Sequence, residues 1–286
     1  MNTQQKKLGI LAFLALVVGF TFFKTRTESA QIAGFEKTDI EQLLKITGVT
    51  YDGTLNGLVQ ATQKAWLRPV GKELWEAEKI HEEKRAQLMP FFKKMGMVDV
   101  REPKKIFYTH ILFMGATVPT MAKRLEDVQK IIASGVGYKN LAFLAGERQL
   151  TDTEKRFLMQ RNWDTLPTTE ATVFPRLFKE YGLPVEKMVF INAPATLLPD
   201  GTMTRPGMKE TVSQWLTNNP EPGSVLVVSS QPFCIYQQTM VASFLPKTFE
   251  VEVMGYQAPD TIAVSSYLDS IARTLFQWEK GHLVSL

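Results

Sequence analysis

One stretch, residues 106–135, IFYTHILFMGATVPTMAKRLEDVQKIIASG, limits what this chain can fold into more than any other. A β-rich apolar run ends abruptly at Gly115, and the short turn Ala116-Thr117-Val118-Pro119-Thr120 follows. Met121, Leu125, Val128, Ile131 and Ile132 then recur mostly three or four apart, the period of a helix, up to the stop signal at Gly135. A buried strand, a glycine turn and a helix form the opening unit of a parallel α/β sheet. Such sheets bind ligands beyond the carboxyl ends of their strands, which is where Gly115 would sit. The free N–H groups at the start of the following helix favour an anion. A single glycine without a full GxGxxG also suits a plain tight turn.

The same alternation continues to the end of the chain. Strands are predicted at 106–114, 140–145, 187–192, 224–230 and 248–254, and helices at 121–134, 152–161, 169–181, 205–217, 232–244 and 260–279. Each strand is short, apolar and next to a helix, which predicts βα units and a sheet covered on both faces. The expected fold is α/β: a Rossmann-like, mostly parallel five-stranded sheet over residues 101–286. Ahead of it, residues 35–100 read as a helical region, with helices at 36–45, 55–66 and 72–94. Pro90 is expected to bend or end the last of these.

Residues 8–23, LGILAFLALVVGFTFF, carry no charge and follow Lys6 and Lys7. As a helix they would cover roughly 24 Å, slightly under a full membrane span, with flanking lysines able to snorkel. The segment after them lacks a clean A-x-A site, so an uncleaved anchor is favoured over a signal peptide. Residues 1–7 would be a short tail and 24–34 a linker. Two basic residues lie on each side of the run, so the charges do not orient it.

Composition narrows the chemistry. The net charge of +4 is not gathered into a basic run, so nucleic acid is not an expected partner. A single cysteine, Cys234, excludes an intrachain disulfide and a cysteine zinc cluster, and His81, His110 and His282 show no ligand spacing, so no metal site is expected.

With all strands parallel, their tips share one rim. In chain order those tips offer Gly115, Ala116 and Thr117; Gly146, Glu147 and Arg148; Asn192; Ser229, Ser230 and Gln231; then Gly255 and Tyr256. Arg148 suits bidentate contact with a carboxylate or phosphate, or a surface ion pair with Glu147 or Asp152. Arg124 lies on the helix after the glycine turn. Thr168-Thr169-Glu170 opens a helix, so Glu170 serves either the helix dipole or acid–base chemistry at the rim. Glu210 with Thr211 makes a weaker case. Ser229 and Ser230 could hold an anion or cap the helix after Pro232, and no GxSxG elbow surrounds them.

The order of these fragments resembles the SanA/ElyC/YdcF-like family of bacterial envelope proteins. The likeness is carried by Met114-Gly115-Ala116, Arg124-Leu125, Leu144-Ala145-Gly146, Thr169-Glu170-Ala171, Gly182-Leu183-Pro184 and Val228-Ser229-Ser230, and more loosely by Glu210-Thr211. Phe233 stands where that family tends to have a nearby histidine, and Gly146 lacks a glycine neighbour. The resemblance implies a single-pass protein of the bacterial inner membrane, with a periplasmic domain and a role in envelope maintenance. It also strengthens Arg124 and Glu170 as site residues. Two functions follow as expectations. One is an anchored α/β domain binding a small anionic ligand, phosphorylated or nucleotide-like, through Gly115, Ala116, Thr117, Arg124, Gly146, Arg148, Ser229 and Ser230, with Glu170 as acid or base. The other is a non-catalytic envelope scaffold or interaction module. Neither names a cofactor.

Overall fold

The computed structural model describes residues 31–69, 72, 76–197, 201 and 203–283. The anchor expected at 8–23 lies outside them. Among the described residues no helix is long and apolar enough to cross a membrane.

Five strands form the central sheet: β1 (Phe107–Met114), β2 (Gly137–Gly146), β3 (Met188–Ala193), β4 (Gly223–Ser230) and β5 (Phe249–Tyr256). Their spatial order is β3-β2-β1-β4-β5, and every neighbouring pair is parallel. This is the strand order of a doubly wound α/β sheet, with its switch point between β1 and β4.

Alternation along the strands decides the two faces. Ile111 and Phe113 join Phe143 and Val228 on one side, against Met121, Leu125 and Val128 of α4 (Val118–Ala133) and Phe174 and Phe178 of α6 (Glu170–Glu180). The Phe143 and Phe174 rings lie 4.5 Å apart. Between these helices runs α5 (Asp152–Gln160), which adds Leu158 to the same layer. Leu112, Leu144 and Val227 face the other way, against Val212 and Trp215 of α7 (Met208–Leu216) and Val241 of α8 (Cys234–Phe244). A strand buried on both faces needs no polar alternation, which is why these strands read as apolar runs.

The region before the sheet holds α1 (Lys37–Thr47), α2 (Leu55–Trp66) and α3 (Arg85–Lys94). The single helix expected over 72–94 is not formed. His81 adopts φ 61°, a left-handed conformation that no helix tolerates, and a 3-10 turn at Glu82–Lys84 separates it from α3. Pro90 does not end α3 but lies inside it. Residues 31–34, read as linker, belong to a small hairpin pairing Gln31–Ile32 with Phe35–Glu36, and Ile32 is buried. A second unexpected hairpin pairs Thr196–Leu197 with Met203–Thr204.

The last helix, α9 (Val264–Leu283), follows the last strand in sequence, yet its Tyr267, Leu268 and Ile271 complete the core of the helical region and not that of the sheet domain expected over 101–286. Tyr267 stacks on Phe92 with ring centroids 4.6 Å apart. The loop at 96–101 then crosses the tips of β4 and β5. Gln231 Nε2 donates to Gly96 O and Asp99 O at 2.9 and 3.0 Å, and Arg101 pairs with Gly255. Half of the carboxyl rim is therefore covered by the chain itself.

Candidate functional site

The uncovered half lies over β1 and β2. The segment after β2 folds back on the entry to α6: Leu150 N–H donates to Thr168 O at 3.0 Å and Glu170 N–H to Arg148 O at 2.8 Å. This short antiparallel pairing brings Arg148 and Glu170, far apart in sequence, side by side.

Arg148 does bind a carboxylate with both arms of its fork, but the carboxylate is Glu154. Nη1 and Nη2 lie 2.8 and 2.7 Å from its two oxygens, and Nε lies 3.3 Å from Glu170 Oε2. The ion pair considered with Glu147 or Asp152 is thus made with Glu154 and Glu170 instead. Glu154 is a hub. It accepts from Thr151 N and Oγ1, both at 2.9 Å, in a capping box at the start of α5, and from Val118 N at 2.9 Å. Burial alone would raise the Glu154 carboxyl, but the Arg148 fork and these amides outweigh it and hold it down at about 2.

The bond to Val118 corrects an expectation. The first free N–H of α4, a natural seat for a ligand anion, is already capped by the chain's own carboxylate, and Pro119 has no N–H to offer. The start of α7 is satisfied similarly, with Gly207 N–H donating to Glu210 at 2.8 Å.

Glu170 differs from Glu154. Its residue is 5% exposed, and Oε1 is buried without a hydrogen-bond partner among the described residues. Burial pushes its carboxyl up to about 7, against the lowering pull of Arg148 and Arg205. Oε1 lies 2.5 Å from where a Cβ on Gly115 would be, so the glycine turn is what admits the carboxylate.

Glu170, Gly115, Gly146 and Arg148 line one cavity of about 230 Å³. Arg205, Pro206 and Gly207 form a facing wall, and Thr211 and Gln237 close it from α7 and α8. The Gln237 Oε1 atom is also buried and unpartnered. Strand tips, two residues with unpartnered acceptors and a nearby guanidinium therefore line one small space.

The other sequence candidates lie elsewhere. Ala116 O accepts from Arg148 Nη2 at 3.3 Å, and Thr117 Oγ1 bonds Thr120 Oγ1 at 2.9 Å. Arg124 fills the switch point: Nη1 donates to Met114 O at 2.8 Å and Nη2 to Ser230 Oγ at 3.1 Å. Burial depresses this guanidinium, and its Nε has no partner among the described residues. Ser229 and Ser230 are buried beneath the covering loop. The single cleft expected to unite Arg124, Ser229, Gly115 and Glu170 is thus divided, with Arg124 acting as a tie between β1 and β4. Among the described residues no group of His, Cys, Asp or Glu could hold a metal ion.

No protein-family model matches the chain, and no curated protein matches it. The site must be read from its own chemistry.

Sequence reasoning passed over three participants. Glu154 carried a signal, the T-D-T-E capping-box pattern at Thr151. Arg205 and Gln237 carried none, since each reaches the cavity only through the fold. Thr211, the weaker candidate paired with Glu210, lines the cavity, whereas Glu210 caps the Gly207 N–H.

Gly146 tests the cavity's build. A Cβ there would lie 2.3 Å from Pro206 Cγ, so Gly146→Ala must displace the 205–207 wall. The expected result is a loss of about 1–3 kcal/mol in urea unfolding, the usual cost of overpacking. Unchanged stability would show that the wall yields freely.

Proposed function

We propose that this chain is a membrane-anchored α/β protein of the bacterial envelope that binds a small anionic ligand at the tips of β1 and β2. The observation that carries the reading is Glu170: a buried carboxyl with an unpartnered oxygen, raised to about 7, in a cavity that Arg148 and Arg205 also line. A carboxyl that titrates near neutrality can accept or give a proton under physiological conditions. Burial, raised pKa and position in a cleft together mark a functional-site candidate. Arg205 brings positive charge for phosphate to the cavity wall, the Arg148 fork being held by Glu154, and Glu170 serves as polar partner or general acid/base.

The envelope setting rests on the apolar run at 8–23 and on the resemblance to the SanA/ElyC/YdcF-like proteins, which also suggests a periplasmic domain. A thermal-shift screen of the full chain in detergent tests the binding claim. Probes are inorganic phosphate, sugar phosphates, nucleotides, S-adenosylmethionine and isoprenoid phosphates. A ligand at a hundred times its Kd stabilises by about 2.7 kcal/mol, so a rise of several degrees is expected from a phosphorylated probe and its loss in Arg205→Ala. No shift from any probe would favour the scaffold reading.

A further inference from the structure

The lining of the cavity narrows the ligand further than its charge does. Two of the lining residues, Glu170 and Gln237, each carry a buried acceptor, Oε1, with no donor among the described residues. Leaving such atoms unpaired forfeits the hydrogen bonds they made to water. A ligand that brings several hydroxyl donors can satisfy both acceptors at once, which an anion with at most one or two P–OH groups does less well.

Size and surface add two limits. The volume of about 230 Å³ lies below the roughly 300–1,000 Å³ of drug-sized sites. None of the described lining residues is aromatic, so the cavity offers no ring on which a nucleobase would stack. The apolar lining is small and aliphatic: Met114, Leu144, Pro206 and Met208.

Resting on the reading above, we infer that the ligand is a small polyhydroxylated monophosphate, such as a pentose or hexose phosphate. Its hydroxyls donate to Glu170 and Gln237, and its phosphate lies toward Arg205. Gln237 is then a specificity-determining residue. It comes from α8 on one face of the sheet, while Glu170 comes from α6 on the other.

Calorimetric titration of the full chain in detergent separates the possibilities. The probes are ribose 5-phosphate, glucose 6-phosphate, n-butyl phosphate, inorganic phosphate and AMP. At least one sugar phosphate is expected to bind ten times or more tightly than n-butyl phosphate, inorganic phosphate and AMP. In Gln237→Leu that preference should fall at least fivefold while inorganic phosphate binds as before, with an unchanged melting temperature showing that the variant folds. Should n-butyl or inorganic phosphate equal the sugar phosphates, or AMP exceed them, the polyol assignment falls while the anion-binding reading stands. If no phosphate compound binds at all, both fall. A Gln237→Leu variant that is folded and retains the full sugar preference overturns the role of Gln237.

Discussion

Replacing Glu154 with glutamine is expected to remove about 3–5 kcal/mol of stability, the range for breaking a buried ion pair from one side. Glu154 is 1% exposed, and Arg148 is 9% exposed. A neutral carboxamide cannot accept through both atoms, so part of the Arg148 fork would lose its acceptor. The Val118 and Thr151 amides, now bonded to the carboxylate at 2.9 Å each, would compete for the oxygen that remains. Three elements meet at this residue: the start of α4, the start of α5 and the turn after β2. In urea unfolding the midpoint should drop sharply with little change in slope, and melting should fall by on the order of 10 °C for a chain of this size.

The neighbouring acid supplies an internal check. With Glu154 neutral, Glu170 becomes the carboxylate on which the charge of Arg148 acts, so its pKa should drop below 7 in Glu154→Gln. A variant that unfolds at the wild-type midpoint would mean that the Arg148–Glu154 pair contributes nothing net. The account of the rim as a structure held by its own anions would then be wrong.

The contrast between the two acids also shows what the sequence could and could not disclose. The five strands were legible because burial on both faces writes them as apolar runs, and their common direction followed from the intervening helices. β2 nonetheless begins at Gly137, where Gly137, Tyr138 and Lys139 carry no such run and are held by pairing with β1 at Phe107 and Tyr108. The same logic of strand tips led to Gly115, Gly146 and Arg148, and the helix start at Thr168-Thr169 led to Glu170, all of which line the cavity. The tips led equally to Ser229 and Ser230, and the helix after the glycine turn to Arg124, none of which line it, because nothing local announces that the loop at 96–101 folds over β4 and β5. Nor can spacing say which arginine is already spoken for. Arg148 meets Glu154 through a turn that must form first, and Arg124 meets Ser230 only once β4 lies beside β1.

Glu170→Gln is expected to abolish a pH dependence opposite in sign to the one that Glu154 creates. The Glu154 carboxyl, held at about 2 against an ordinary 4.5, contributes stability that is present above 4.5 and lost as pH falls toward 2. Glu170 has the opposite sign. Its folded value of about 7 lies above the ordinary 4.5, so between those limits the folded chain keeps a proton that the unfolded chain gives up. Stability must therefore decline as pH rises through that window, by up to ~3 kcal/mol at about 1.4 kcal/mol per pH unit. Wild-type protein should be most stable near pH 5 and weaken toward pH 8. Glutamine at 170 carries no ionisable group, so the variant should lose this decline, and the burial-lowered His110 and His81 should leave it a gain in stability as pH rises toward the ordinary histidine value of 6.5. It should exceed the wild type by ~1–3 kcal/mol at pH 8, the gap narrowing as pH falls to 5. Urea midpoints across that range decide the matter. Parallel curves for the two proteins would mean that Glu170 ionises at its ordinary pKa. The buried acid on which the proposed chemistry depends would then not exist.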